Sequence, residues 1–438
     1  MTAESTNPGR GYTRRSLVKS AGVVAAGVVV GGATRETLAM SGGPKAVTYP
    51  SGKHAQASRW PQYGPADEAA VLDVIRQPNY RPIEEFEKDW REYLGVPYVT
   101  AHCNGTSALA SMYFALNLPA GSEILVPSYT FFATIMPMRL FGLVPAFVDI
   151  NPRTLNFDLE DASRRLTKNT KALVPVHWIG RPCEMDDILA FAKEKGLIVL
   201  EDAAHAQGAS MQGKKMGAWG RMAIFSYQAS KPLPVIEGGM GIYQNREDYE
   251  RGTTFGNYDL PHRFAKGSSY GPYEGTGLGL KFRMHPVSAA LGRVQLRELD
   301  RRNTAFAAQV RRLNDRICAL PGLYEQGARK DMQRVYYNWN MLFLDEAQAG
   351  MSRQACVKAL QAEGVRATAH SYRLQHKSAV YAEAQWWHHL PQIPQLPGSE
   401  QANRTAIGLP LFTSEVPELV EQYAAAFEKV WAHRKELA

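Results

Sequence analysis

Apolar residues recur at helical spacing over 68–76 and 84–94, and beyond them short apolar runs alternate with amphipathic stretches. The runs 98–101, 123–126, 145–149, 172–176, 198–202, 223–226 and 239–243 are expected to be strands. Several are apolar without a break, as strands covered on both faces are. The stretches 107–116, 132–141, 159–166 and 186–195 are expected to be the helices between them. That alternation predicts an α/β domain with a mostly parallel sheet. After about residue 244 the rhythm changes. A loop rich in Gly and Tyr over 256–279 leads into a helix expected over 286–302, and the remainder mixes a helix over 352–363 with a strand-like run over 340–344. A smaller α+β domain is expected there, so the chain divides into a leader (1–40), a large domain (41–300) and a small C-terminal domain (301–438).

Composition agrees with a folded protein: 438 residues, 45% hydrophobic and 21% charged. The net charge of +8 is spread among acidic residues rather than massed in runs, which argues against a nucleic-acid partner and for mild attraction of small anions. Cys103, Cys183, Cys318 and Cys356 are far apart, so neither a disulfide framework nor a cysteine metal site is expected. The only long apolar run lies near the start, and no membrane span is expected in the body of the chain. There, Thr13-Arg14-Arg15-Ser16-Leu17-Val18-Lys19 precedes a small-residue apolar stretch over 21–33, with Ala33 and Ala39 as candidate cleavage points. This resembles a twin-arginine export signal, which carries folded proteins, and export to the periplasm or cell surface is the expectation. A short amphiphilic or disordered leader on a cytoplasmic protein is the alternative.

In parallel sheets, ligands bind beyond the carboxyl ends of strands, so the residues just after each run are the candidates. Cys103-Asn104-Gly105-Thr106-Ser107 opens a helix with small and hydroxyl residues, which suits either an anion cradle or an ordinary helix cap. In Glu201-Asp202-Ala203-Ala204-His205-Ala206, Asp202 ends a very apolar run and is unfavourable there unless it meets a cation. A protonated pyridine nitrogen is such a cation; a helix cap or a metal carboxylate is the competing role. His205 could bond a ring hydroxyl or be structural. In Ser226-Tyr227-Gln228-Ala229-Ser230-Lys231, followed by Glu237-Gly238-Gly239, a desolvated Lys231 would be a nucleophilic amine and Ser226 a phosphate ligand. Phe131, in Pro127-Ser128-Tyr129-Thr130-Phe131-Phe132, could stack on a flat ring or belong to the core.

Taken in order, these segments, with Asp149-Ile150-Asn151-Pro152 and Val174-Pro175-Val176-His177, resemble the DegT/StrS family of sugar aminotransferases over roughly 60–433. The resemblance implies a fold-type I enzyme dependent on pyridoxal 5'-phosphate. Lys231 would be its Schiff-base lysine, Asp202 would pair with the pyridine nitrogen and His205 would lie near the ring hydroxyl. Phe131 would cover the ring face, with Gly105, Thr106, Ser107 and Ser226 around the phosphate. It further implies a homodimer with sites at the subunit interface, and transfer of an amino group from glutamate or glutamine to a keto-sugar or keto-cyclitol. Relatives that dehydrate deoxysugars carry histidine where this chain has Lys231; a cofactor-binding protein without turnover is a further alternative. Two departures stand out. Gly279-Leu280-Lys281-Phe282-Arg283-Met284 puts Lys281 where relatives donate an asparagine to the partner's phosphate, and a lysine can serve there as a point charge. Pro232, Pro234 and Ile236 replace more flexible residues after Lys231, Ile236 standing where a glycine is common.

Overall fold

Fourteen strands organise the computed structural model, which describes residues 36–438; the twin-arginine and apolar segments of the leader lie outside them. They are β1 (Tyr98–His102), β2 (Glu123–Pro127), β3 (Val144–Val148), β4 (Thr170–Leu173), β5 (Ile198–Asp202), β6 (Ser210–Met211) and β7 (Lys214–Lys215). The rest are β8 (Met222–Ser226), β9 (Gly239–Tyr243), β10 (Leu323–Glu325), β11 (Met332–Gln333), β12 (Trp339–Leu344), β13 (Thr368–Ala369) and β14 (Ala406–Pro410). The main sheet has seven strands in the order β1-β9-β8-β5-β4-β2-β3. All neighbours pair in parallel except at β9, which runs antiparallel to both β1 and β8. Parallel strands need crossovers, and the helices that make them cover both faces, which is why these strands read as unbroken apolar runs.

The helix Gly105–Ala115 lies on one face, buried at nine of its positions. It has no polar side to give to water, as its run of Ala, Leu, Met and Tyr dictates. Helices Pro65–Arg76 and Arg81–Leu94 pack on the long helix Pro286–Ile317, and Phe86 and Trp90 are fully buried against Phe225 and Tyr227. The 132–141 stretch, expected to be one helix, is two 3-10 turns, Phe132–Thr134 and Met136–Phe141. Pro137 accounts for the difference: it lacks an N–H and disfavours α geometry at the residue before it.

A second, wholly antiparallel sheet, β10-β12-β14-β13, carries the C-terminal core with helices Arg353–Ala362 and Pro417–Ala432. The expected domain limits need two corrections. A boundary at 300 falls inside the helix Pro286–Ile317, whose buried Asn303, Phe306, Val310, Leu313 and Ile317 keep the helical stripe running past 302. The end of the expected leader and the segment after it, the latter assigned to the large domain, pack instead with the C-terminal core: Leu38, Val47 and Ala57 are buried among its residues. Backbone N–H groups of Ala39 and Ala46 donate to the wholly buried Glu363 carboxylate, which also meets Lys429 at 3.0 Å. Residues 37–438 form one compact unit. A small sheet in the order β11-β6-β7 stitches its parts together and delivers the segment 335–339 to the ends of the main strands. Among the described residues, no helix is long and apolar enough to cross a membrane.

Candidate active site

A cavity of about 590 Å³ opens at the carboxyl ends of β5 and β8. Its lining includes Gly105, Thr106, Phe131, Asp202, His205, Ser226 and Lys231, so seven of the nine residues singled out in the sequence come together. Lys231 is the sole Lys or Arg among the described lining residues. Ser107 does not line the cavity. It is buried and its backbone N–H and hydroxyl both donate to Asn104 Oδ1, at 2.9 and 3.0 Å, so it serves the helix cap rather than the cavity wall. Lys281 is exposed and does not line its own chain's cavity.

The anion end is built by backbone approach. Gly105 begins the helix against Ser226, and a Cβ on it would lie 2.9 Å from Ser226 Cβ. At Gly239 a Cβ would fall 2.4 Å from the Asn104 backbone, so β9 begins hard against the same turn. The first-turn N–H groups of a helix have no partner within it, and here they face a hydroxyl at the rim of a cavity.

At the far end, Asp202 is 4% exposed. Its Oδ2 accepts from Thr134 Oγ1 at 2.7 Å and its Oδ1 from the Ala204 N–H at 3.1 Å. Thr134 gives its proton to the carboxylate, so Thr130, 2.8 Å away, is the donor to Thr134. Burial holds the Asp202 carboxyl above its usual range, and the two hydrogen bonds and the Lys231 charge pull it back. An anion so placed favours a cationic partner. His205 is buried and burial drives it well below the ordinary imidazole range, with the charges of Lys231 and His177 adding to the shift. The Ile179 N–H donates to its Nδ1 at 3.4 Å, which leaves the proton on Nε2, a neutral donor. Ile179 takes φ 51° to do so, an unusual backbone for a β-branched residue.

Beside Asp202 on β5, the fully buried Glu201 side chain accepts from His177 Nε2 at 3.0 Å and from the N–H groups of Gly217, Trp219 and Gly220 at 2.6–2.8 Å. His177 Nδ1 accepts from the Cys183 N–H, so its tautomer is fixed too. This pairing pins the strand end from behind. Lys231 sits in a turn closed by its N–H to the Gln228 carbonyl at 2.8 Å, and its own carbonyl accepts from Trp60 Nε1 at 3.1 Å. The following Leu233 and Val235 are fully buried, so the proline-rich loop is anchored rather than loose. Ile236, at the glycine position, does adopt the left-handed backbone with φ 73°.

Sequence reasoning missed Thr130, Thr134, Glu201 and Tyr337. Thr134 carries only a weak signal, a second hydroxyl four residues after Thr130 in the segment that holds Phe131. Tyr337 carries no local signal; only the pairing of β11 with β6 brings it to Lys231, 106 residues away.

The residues therefore suit a flat molecule with an anionic tail at Gly105, Thr106 and Ser226, a basic ring atom at Asp202 and an electrophilic carbon within reach of Lys231. Pyridoxal phosphate has these features. The DegT/DnrJ/EryC1/StrS aminotransferase family model matches residues 65–428. GDP-perosamine synthase of Caulobacter vibrioides is 38% identical over 223 residues, which is 50% of this chain and 57% of that protein, little more than half its length. The aminotransferase of Psychrobacter cryohalolentis superposes with a TM-score of 0.77 at 24% identity over 86% of this chain and 99% of that one. DesI, solved in the presence of its TDP-sugar product, superposes at 0.73 with 27% identity over 91% and 97% of the two chains. The seven-stranded α/β fold is that of fold-type I aminotransferases, and the chain belongs to the DegT/DnrJ/EryC1/StrS aminotransferase family, whose cofactor is pyridoxal phosphate.

Proposed function

We propose that this chain is a transaminase that moves an amino group from glutamate or glutamine to the carbonyl of a keto-sugar or keto-cyclitol. The observation that carries the reading is the meeting of the Lys231 amine and the buried Asp202 carboxylate in one cavity. Bound pyridoxal phosphate supplies the electron sink that acidifies the donor's Cα–H and carries the amino group between the two substrates. Gly105, Thr106 and Ser226 would hold its phosphate, and Asp202 would keep the ring nitrogen protonated. His205 Nε2–H would bond the ring hydroxyl and Phe131 would lie on the ring face. Lys231 would hold the cofactor by its amine and, when free, would take the proton from the donor carbon at Nζ and return it on the other side of the transfer. The lysine favours transamination over the dehydration that histidine-bearing relatives perform. Trp178, Trp339 and Tyr372 line the rest of the cavity and would shield the reacting carbon from water.

The large exposed side chains Tyr80, Phe131, Phe132, Leu278 and Leu280 support a homodimer in which Lys281 of one subunit reaches the partner's phosphate. Export through the twin-arginine route remains part of the proposal and favours an acceptor that is not nucleotide-linked. Mixing the cofactor-loaded protein with L-glutamate tests the reaction. Its absorbance should shift and 2-oxoglutarate appear in stoichiometric amount; an unchanged spectrum with glutamate and with glutamine would mean a binder rather than an enzyme.

A further inference from the structure

The hydrogen bonds around Tyr337 fix the direction of every proton leading away from Lys231. Gln228 Oε1 accepts from the Ser230 N–H at 2.9 Å, so that atom is the amide oxygen and can only accept. It also accepts from the Ser230 hydroxyl at 2.6 Å, which commits that proton. Ser230 Oγ lies 3.0 Å from Tyr337 Oη and has only lone pairs left to offer, so the phenol donates to the serine. The Tyr337 oxygen is then free to accept, and Lys231 Nζ lies 3.3 Å from it. The ring itself is held by stacking on His205, centroids 4.2 Å apart at 22°, and Nζ sits 4.3 Å from the tyrosine ring centroid. The order Lys231 to Tyr337 to Ser230 to Gln228 thus runs one way.

Resting on the function proposed above, we infer that Tyr337 is a positioning residue for the Lys231 amine. Its phenol oxygen takes one N–H of the neutral amine and so restricts rotation about Cε–Nζ, leaving the lone pair two staggered positions instead of three, both when the cofactor is captured and when the freed lysine must accept the donor proton. No bond is made or broken by the tyrosine. Without it the amine can rotate, and nucleophile and base are correctly aimed for a smaller fraction of the time.

Tyr337→Phe keeps the stacked ring and removes the acceptor. Two rates are read: the absorbance change when pyridoxal phosphate is added to cofactor-free protein, and turnover with Cα-protonated against Cα-deuterated glutamate. Capture and kcat should each fall about tenfold, as loss of one hydrogen bond to a reacting group implies, with KM for glutamate unchanged and the deuterium isotope effect increased. Ser230→Ala removes the group that orients the phenol and should move both rates the same way, by less. Wild-type capture, kcat and isotope effect in Tyr337→Phe would overturn the inference, as would a loss matched by an equal loss of folded protein. Lys231→Ala separates the two readings: retained turnover in that variant defeats the transaminase assignment, whereas its loss beside an unaffected Tyr337→Phe defeats only the tyrosine.

Discussion

Burying a carboxylate as deeply as Asp202 is unfavourable, and among the described residues Thr134 is the one side chain that bonds it directly. Thr134→Val keeps the shape of the residue and deletes the donor, so the carboxyl should rise further above its usual range and hold the ring nitrogen less firmly. Cofactor affinity measured by equilibrium dialysis should fall by about 1–3 kcal/mol, about 5- to 150-fold, and Thr134→Ser should restore it. Equal affinity in the valine variant would show that Asp202 needs no help. Ile236 poses the opposite case, a β-branched side chain more than half exposed in a left-handed backbone at φ 73°. Such strain costs roughly 1–3 kcal/mol and clusters at functional sites. Ile236→Gly removes it but gives the unfolded chain more freedom, worth up to about 1 kcal/mol. A net gain of about 1 kcal/mol in urea unfolding is expected; a net loss would mean that the isoleucine makes contacts outweighing its backbone.

At the scale of elements, the main sheet was readable because strands covered on both faces are largely apolar, and 198–202 and 239–243 match β5 and the antiparallel β9 residue for residue. The 3-10 turns at 132–141 were not, since their apolar spacing imitates a helix and only Pro137 argues otherwise. The long helix ran past its expected end because Arg301, Arg302 and Asn303 look like a stop, although Asn303 is buried and donates to the Gln207 carbonyl. The cavity lining was legible at the strand ends Asp202 and Ser226 and in the turn that follows β8, at Lys231. It was illegible at Tyr337, which arrives from another part of the chain. The anchoring of Leu38 and Ala39 to the C-terminal core also bears on the leader. Cleavage after Ala39 would remove a buried leucine, so a processed protein should begin before Leu38, consistent with cutting after Ala33. N-terminal sequencing of protein recovered from outside the cytoplasm checks this; a start at Met40 would contradict the packing argument.

For the whole molecule, the proposed dimer makes each cavity depend on two chains. Lys231→Ala and Lys281→Ala variants should each be weak alone. Mixed and allowed to exchange subunits, they should regain activity, because one site in each mixed dimer then holds both lysines. No recovery despite proven exchange would place Lys281 outside the partner's site. In the proposed function the chemistry rests on one amine, that of Lys231. Reducing the cofactor-loaded protein with borohydride and mapping the modified peptide by mass spectrometry tests that amine most directly. The account predicts a phosphopyridoxyl group on Lys231 alone; the group on any other lysine, or on none, would contradict it.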